Sequence, residues 1–364
     1  MTARVAKGQG KPMRELHERN RTLALMVMLG VLVTGGCAPP GPRETTGKTG
    51  SQQPAQPPSG PGGSDYPHAD MRVSSGGEGV YGWYVFEPIH PQPASAPLAI
   101  ILHGYGEYAG YDMMYELIRH TVRKGNVVIY PRWQTGLAFP CAGAFDIEPC
   151  MTSARVGIQS GLEFLNGSGR VRPQLERTSY FGFSFGGILT ANLANRHASI
   201  GLPTPRAIFL EDPHDGGTDG EGGLDEPLDG IPASVKLQCH ASEEGIISEK
   251  GKAHSSCNAV FPKLGHIPDE NKDLVMIRTD RHGTPLLSSR HGVSAGGPGY
   301  GGPADAYDWN FVWKVWDALR SCAYDGTDCQ YALGDTPEHR SLGVWSDGQP
   351  LIPLVIQDAA PLRP

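Results

Sequence analysis

The chain has 364 residues, of which 39% are hydrophobic, so it can bury one large core or two smaller ones. Its formal net charge of −7 at pH 7 predicts an acidic surface, which argues against nucleic acid as a partner. The 49 glycines and 32 prolines exceed what a core needs, and we expect long loops or unstructured tails beside the folded part.

Residues 1–37 have the pattern of an export signal. A basic segment precedes an apolar run from Leu23 to Val33 that is too short to span a bilayer. The run ends in VTGGC, which resembles the lipobox of bacterial lipoproteins although Thr34 replaces the usual leucine. We expect a lipoprotein signal peptide with lipidation on Cys37, and a plain secretory signal is the alternative. The basic residues are Arg4, Lys7, Lys11, Arg14, Arg19 and Arg21.

Residues 38–65 are rich in proline, glycine and serine and offer few side chains to a core. We expect a disordered linker that holds the folded domain away from a membrane. Cleavage before Cys37 would leave 25 Lys and Arg against 36 Asp and Glu, a net charge of about −11. Ala38 resembles an outer-membrane sorting residue, so the expected location is the bacterial cell envelope, at the outer membrane or the cell surface.

Strand-like and helix-like runs alternate from residue 80 onward. Near-continuous apolar strands separated by helices predict an α/β fold with a mostly parallel central sheet flanked by helices. One domain over residues 66–330 accounts for the pattern, and residues 331–364 are expected to form a tail or arm. The predicted strands are Val80 to Phe86, Leu98 to Leu102, Val127 to Tyr130, Ala207 to Leu210, Val235 to Cys239 and Leu274 to Ile277, and the predicted helices lie near Met113 to Lys124, Ser153 to Leu165 and Trp309 to Ser321.

Of the seven cysteines, six remain when Cys37 is set aside, and an even number in an exported chain indicates disulfides. Pairing nearest neighbours gives three short loops, although other connectivities are possible. No C-x-x-C occurs, which argues against a zinc site, and we expect no metal. The predicted pairs are Cys141 with Cys150, Cys239 with Cys257, and Cys322 with Cys329.

A G-x-S-x-G pattern, GFSFG, spans residues 182–186 between a strand-like run and a helix-like run. A serine on such a turn needs glycines two residues before and after it, because a Cβ there would strike the adjoining strand or helix. Ser184 is therefore the candidate nucleophile. Glycine is so common in this chain that the pattern can arise by chance, and the remaining groups have to support it.

A glycine-rich loop, HGYG at residues 103–106, follows the strand Leu98 to Leu102. A loop in this position can supply half of an oxyanion hole. The candidate donors are the backbone N–H groups of Tyr105 and of Phe185, the residue after the candidate nucleophile. A plain turn after a strand is the alternative.

The general base should be a histidine beyond the last strand, if the chain order is serine, acid, histidine. His282 lies in the loop that follows the strand Leu274 to Ile277, and we favour it over His291, the other histidine near that loop.

Two loops could supply the acid that orients this histidine. Glu244 follows the strand Val235 to Cys239, the usual position, and Asp212 follows the preceding strand. Glu244 is preferred, Asp212 is the alternative acid, and Glu243 is a third candidate.

Residues 80–330 resemble the α/β-hydrolase superfamily, especially its cutinase-like polyester hydrolases and its chlorophyllase-like branch. HGTP at residues 282–285 is similar to the H-x-x-P of cutinase-like enzymes, which carry an aspartate where Glu244 stands. DPHDG at residues 212–216 instead is similar to the D-P-x-D-G segment of chlorophyllases. An acidic glycine-rich insertion, residues 215–230, departs from both, and we expect a solvated loop there rather than a calcium site.

The resemblance implies a monomeric serine esterase that forms an acyl-enzyme, needs no cofactor and acts on a small-molecule or polymeric ester. The same groups could cleave amides or peptides, since fold does not choose among them. A different class of function is an inactive α/β-hydrolase-fold lipoprotein that serves as a binding or scaffold module in the envelope.

Overall fold

The computed structural model describes residues 50–107, 110–136, 141, 146–214, 223–243, 256–296 and 302–362. The predicted signal peptide over residues 1–37, the first part of the predicted linker and Glu244 lie outside these residues. Within them, no helix is both long enough and apolar enough to cross a membrane.

Nine strands form one sheet in the described part of the chain. They are β1 (Asp70–Gly76), β2 (Trp83–Ile89), β3 (Ser95–Leu102), β4 (Val127–Pro131), β5 (Arg172–Phe183), β6 (Pro205–Glu211), β7 (Lys236–Ser242), β8 (Lys272–Ile277) and β9 (Val355–Gln357). The order is β1-β2-β4-β3-β5-β6-β7-β8-β9. The strands from β4 to β8 in this order are parallel, while β1, β2 and β9 pair antiparallel at the two edges. This architecture confirms the predicted α/β-hydrolase fold.

Helices cover both faces of the sheet, which is why its central strands are apolar on both sides. In β3, Ile100 packs into one core cluster and the next residue, Ile101, packs into the other, and both are fully buried. The first cluster is covered by α2 (Glu148–Leu165), α3 (Phe185–Arg196) and the short α4 (Ser256–Val260). The second is covered by α1 (Tyr115–Arg123) and α5 (Trp313–Asp325), and a short α6 (Pro337–Arg340) follows.

The folded domain begins earlier than residue 66, the boundary expected from composition. Gln53 Oε1 accepts a hydrogen bond from Ala306 N at 2.7 Å, and Pro54 O accepts one from Trp309 Nε1 at 3.1 Å. Farther along, the N–H of Gly62 donates to the buried Asp317 Oδ2 at 2.9 Å. Residues 50–65 therefore lie against the domain, because hydrogen bonds from the Gln53 side chain and from the backbone of Pro54 and Gly62 hold a segment that has few apolar side chains of its own.

The C-terminal segment, residues 331–364, was expected to be a tail or arm, and its described part is an arm packed on the domain. It supplies α6 and the edge strand β9, and its Trp345 is almost fully buried. Lys314 Nζ, from α5, donates to the carbonyls of Glu338, His339 and Ser341 at 2.9, 3.0 and 2.6 Å.

The three disulfides join the cysteines that were paired by nearest neighbour. The bonds are Cys141–Cys150, Cys239–Cys257 and Cys322–Cys329. The described residues contain no group of three or more metal-binding side chains that could hold a metal ion.

Candidate active site

Ser184 lies on the sharp turn between β5 and α3, where the sequence predicted it. Its backbone has φ 55° and ψ −126°, a conformation that is strained for a residue with a Cβ and is typical of a nucleophile elbow. The turn is fixed by hydrogen bonds from Ser184 N to Glu211 O at 2.9 Å and from Gly187 N to Ser184 O at 2.8 Å.

The flanking glycines are required by close backbone contacts. A Cβ at Gly182 would lie 2.4 Å from the carbonyl oxygen of Gly186, and a Cβ at Gly186 would lie 2.3 Å from that of His103. Both distances are far below van der Waals contact, so the pattern G-x-S-x-G has a steric reason here.

His291, not His282, is the histidine that contacts the serine. Its Nε2 lies 3.0 Å from Ser184 Oγ. The ring of Phe183 packs beside the imidazole with the ring centres 5.0 Å apart. The imidazole thus reaches the serine from the loop that follows β8.

His282 was favoured because it is the first histidine after β8, but the structure places it at the surface. Asp280 and Leu287 bond each other through both backbone groups at 2.9 Å, and the turn between them carries His282 outward. Its side chain is 40% exposed, with Nε2 2.7 Å from Asp347 Oδ2. After this turn the chain returns to the end of the sheet, where His291 lies.

Asp212, the alternative acid, lies beside His291. It directly follows β6, and its Oδ2 is 3.6 Å from His291 Nδ1, within ion-pair range. Its two carboxylate oxygens also accept from the backbone N and the Oγ of Ser242, at 2.7 and 2.5 Å. The carboxylate is almost fully buried, and these donors fix its orientation.

Burial of Asp212 opposes its charge, but the hydrogen bond and the charge of His291, the charge of His240 and the hydroxyl of Ser242 outweigh it and lower the pKa. The carboxyl is therefore ionised at neutral pH. A carboxylate near Nδ1 favours the tautomer that carries its proton there, which leaves Nε2 free to accept from the serine hydroxyl.

The structure describes only one of the other two acid candidates. Glu244, the preferred one, lies outside the described residues. Glu243 serves another purpose, since its N–H donates to Ser289 Oγ and its Oε2 accepts from Thr279 N, both at 2.9 Å. These bonds join the end of β7 to the loop that leads to His291.

The loop at residues 103–106 adjoins the serine. A Cβ on Gly104 would lie 2.9 Å from Ser184 Cβ, so the backbone at this point abuts the nucleophile. Gly106 N donates to Gln134 Oε1 at 2.9 Å, which fixes the far side of the loop. The ring of Tyr105 stacks on that of Phe185, with centres 4.4 Å apart. Both candidate oxyanion residues are thus next to Ser184.

His103 is buried in the core and serves a structural role. Its ring is fully buried and stacks on Trp133 at 4.6 Å between centres, and burial lowers its pKa to about 3. The neutral ring donates from Nδ1 to the carbonyl of Gly104 at 2.8 Å. His103 therefore shapes the loop as an uncharged group.

Sequence reasoning missed two groups that adjoin the site. Glu211, at the end of β6, is fully buried, and its carboxyl bonds Ser294, three residues after His291. His240 in β7 is also fully buried, and neither of its ring nitrogens has a hydrogen-bond partner among the described residues. For Glu211, an acidic residue at the end of the apolar run Ala207 to Leu210 was the available signal. The polar residues around His240 in β7 gave no such signal.

The described part of the acidic insertion is tied to α3. Arg196 Nε donates to Asp225 Oδ2 at 2.8 Å, and Gly230 N donates to Asn195 Oδ1 at 2.9 Å. Asp225 therefore pairs with a cation of the protein itself. Residues 215–222 lie outside the described structure.

No protein-family model matches this chain, and no curated protein matches it at a significant level. Among solved structures, it is similar to the crystal structure of a mutant of the esterase rPPE, at 14% sequence identity and a TM-score of 0.43. That match covers 73% of this chain and 84% of the other.

Proposed function

We propose that this protein is a serine hydrolase that cleaves carboxylic esters through an acyl-enzyme intermediate. The observation that carries the proposal is the 3.0 Å contact between His291 Nε2 and Ser184 Oγ, made on a strained strand-to-helix turn. A nucleophile within hydrogen-bond reach of a base, which in turn lies beside a buried carboxylate, is the arrangement that nucleophilic catalysis requires.

In the first half of the reaction, Ser184 Oγ attacks the carbonyl carbon while His291 Nε2 takes the hydroxyl proton. The tetrahedral intermediate then breaks its bond to the alcohol oxygen, and His291 gives the proton to that leaving group. In the second half, His291 takes a proton from water as the water attacks the acyl-enzyme. Collapse of this intermediate returns the proton to Ser184 Oγ and releases the carboxylic acid.

Asp212 holds the imidazole and stabilises the positive charge that it gains in each half. The negative charge that develops on the carbonyl oxygen is assigned to the backbone N–H groups of Tyr105 and Phe185. Their residues adjoin Ser184 on two sides, through the close approach of Gly104 and the start of α3. These steps need no cofactor.

A fluorophosphonate probe and a short-chain p-nitrophenyl ester test the proposal together. We expect the probe to label Ser184, and we expect Ser184→Ala to lose both labelling and turnover by several orders of magnitude. Ser179→Ala is the matched control, since this buried serine lies in β5, the strand that leads to Ser184, and bonds Leu98 O instead. Absence of both labelling and turnover in the wild type would favour an inactive scaffold, and hydrolysis of amides but not esters would redirect the assignment to an amidase or peptidase.

We also propose that the chain is exported and anchored to the cell envelope by lipid on Cys37. The lipobox-like VTGGC supports this, and three disulfides suit an oxidising compartment.

A further inference from the structure

Glu211 is a buried carboxylic acid for which the proposed reaction has no direct use. It ends β6, is 0% exposed and precedes Asp212 in the chain. Its Oε1 accepts a hydrogen bond from Ser294 N at 2.7 Å, and its Oε2 shares a hydrogen bond with Ser294 Oγ. Both carboxyl oxygens thus form hydrogen bonds with Ser294.

Ser294 belongs to the turn that carries the histidine. It lies three residues after His291, it is fully buried, and the turn closes with a bond from Ala295 N to Gly292 O at 3.0 Å. The side chain of His291 itself is 45% exposed, so burial alone does not fix the imidazole. The bonds between Glu211 and Ser294 attach the loop that carries His291 to the sheet.

Glu211 also contacts Ser184 and Asp212, the other two members of the proposed triad. Its carbonyl oxygen accepts from Ser184 N at 2.9 Å, and its peptide bond leads directly into Asp212. Glu211 therefore joins the turn of the nucleophile, the strand end of the acid and the loop of the histidine.

Burial favours the neutral form of the Glu211 carboxyl. Burial raises its pKa well above the usual range, and the nearby carboxyls of Asp212 and Asp308 raise it further, against the lowering by the Ser294 N–H. In this form the acid can accept from Ser294 N and share one proton between its Oε2 and Ser294 Oγ. It does so without placing a second negative charge beside Asp212, whose charge the imidazole needs.

We propose that Glu211 is a positioning residue whose hydrogen bonds to Ser294 set His291 at the distance from Ser184 that proton transfer requires. The inference rests on the proposed serine-hydrolase function. It concerns kcat rather than substrate binding, because Glu211 is buried away from any substrate.

The test compares two replacements of similar size, Glu211→Gln and Glu211→Met. The glutamine amide can accept from Ser294 N and donate to Ser294 Oγ, so we expect kcat within about threefold of wild type. The methionine makes neither bond, and we expect kcat to fall about tenfold to a hundredfold with little change in KM, since small misplacements of a catalytic group cost this much. The rate of fluorophosphonate labelling should fall in parallel.

Asp273→Asn is the control, because it replaces a buried carboxyl that lies far from the serine. This residue is also almost fully buried and accepts a backbone bond, from Gly334 N at 2.8 Å, but it lies near the start of β8. We expect a lower melting temperature and an unchanged kcat.

Wild-type labelling at Ser184, measured first, separates failure of the proposed function from failure of this inference. If wild type is active, a folded Glu211→Met with unchanged kcat would overturn the inference, and so would a Glu211→Gln as impaired as Glu211→Met. Should Glu211→Met not fold, Ser294→Ala removes only the hydroxyl bond. A smaller fall in kcat then supports the inference, and no fall contradicts it.

Discussion

Ser184 Oγ and His291 Nε2 lie 3.0 Å apart although 107 residues separate them in the chain. The contact forms because both residues leave the same end of the sheet, one directly after β5 and the other after a long excursion beyond β8. Of the two histidines that the sequence ranked, it is therefore His291 that contacts the serine.

The first prediction compares these two histidines. His291→Ala removes the group that takes the serine proton, so we expect kcat/KM for an ester to fall by at least about a thousandfold. His282→Ala should stay within about threefold of wild type, because its ring pairs with Asp347 at the surface. Steady-state kinetics with circular dichroism on both variants check this, and the opposite ranking would return the role of base to His282.

The second prediction concerns the acid. Asp212→Asn keeps the shape of the side chain but loses its charge and the tautomer that it selects, and we expect kcat to fall on the order of a thousandfold or more. Glu243→Gln should have a much smaller effect, because this side chain bonds Thr279 N away from the imidazole. Glu244→Gln completes the series. A large loss in Glu244→Gln with an active Asp212→Asn would restore the first preference.

Much of the fold could be predicted because the central strands carry their pattern locally. The run Leu98 to Leu102 is apolar throughout and fully buried. The glycines of GFSFG are needed because a Cβ at either one would clash with neighbouring backbone at the turn. The edge strands β1 and β9 were missed, since β1 is half exposed with mostly polar residues and β9 is only three residues long. Nearest-neighbour pairing succeeded for the cysteines because all three loops are short.

The local sequence pattern could not predict which histidine contacts Ser184, nor that residues 50–65 belong to the domain. Which histidine returns to Ser184 depends on the Asp280–Leu287 turn, whose pairing is a matter of tertiary geometry. Residues 50–65 looked unstructured because their composition lacks apolar side chains. They are held by backbone bonds to Trp309 and Asp317, which lie more than 250 positions away.

The third prediction concerns the lipid anchor. If Cys37 is lipidated in the producing cell, most of the protein should sediment with membranes, because acyl chains supply the binding energy. Cys37→Ser should release active enzyme into the soluble fraction. Ser184→Ala is the control, since it should lose activity but stay with the membranes. Membrane association that persists in Cys37→Ser would contradict the anchor.

The last prediction concerns the stability of the fold in acid. His240 is fully buried, and burial lowers its pKa from 6.5 to about 4, against the opposing effect of the Asp212 carboxylate and with a small contribution from His291. Between these two values the unfolded chain binds a proton at this residue and the folded protein does not. The free energy of unfolding must therefore fall as pH drops through this window, and His240 adds no pH dependence above it.

The loss attributable to His240 should approach about 3 kcal/mol at the acid end of the window. His240→Leu removes the titrating ring and keeps the site apolar beside Phe209 and Phe311, whose rings His240 contacts. Urea unfolding at pH 7 and at pH 4.5 should thus show a smaller drop in stability for this variant than for wild type. His282→Leu, an exposed position, should keep the wild-type drop. An equal drop in His240→Leu and wild type would mean that the buried ring is not the group that titrates.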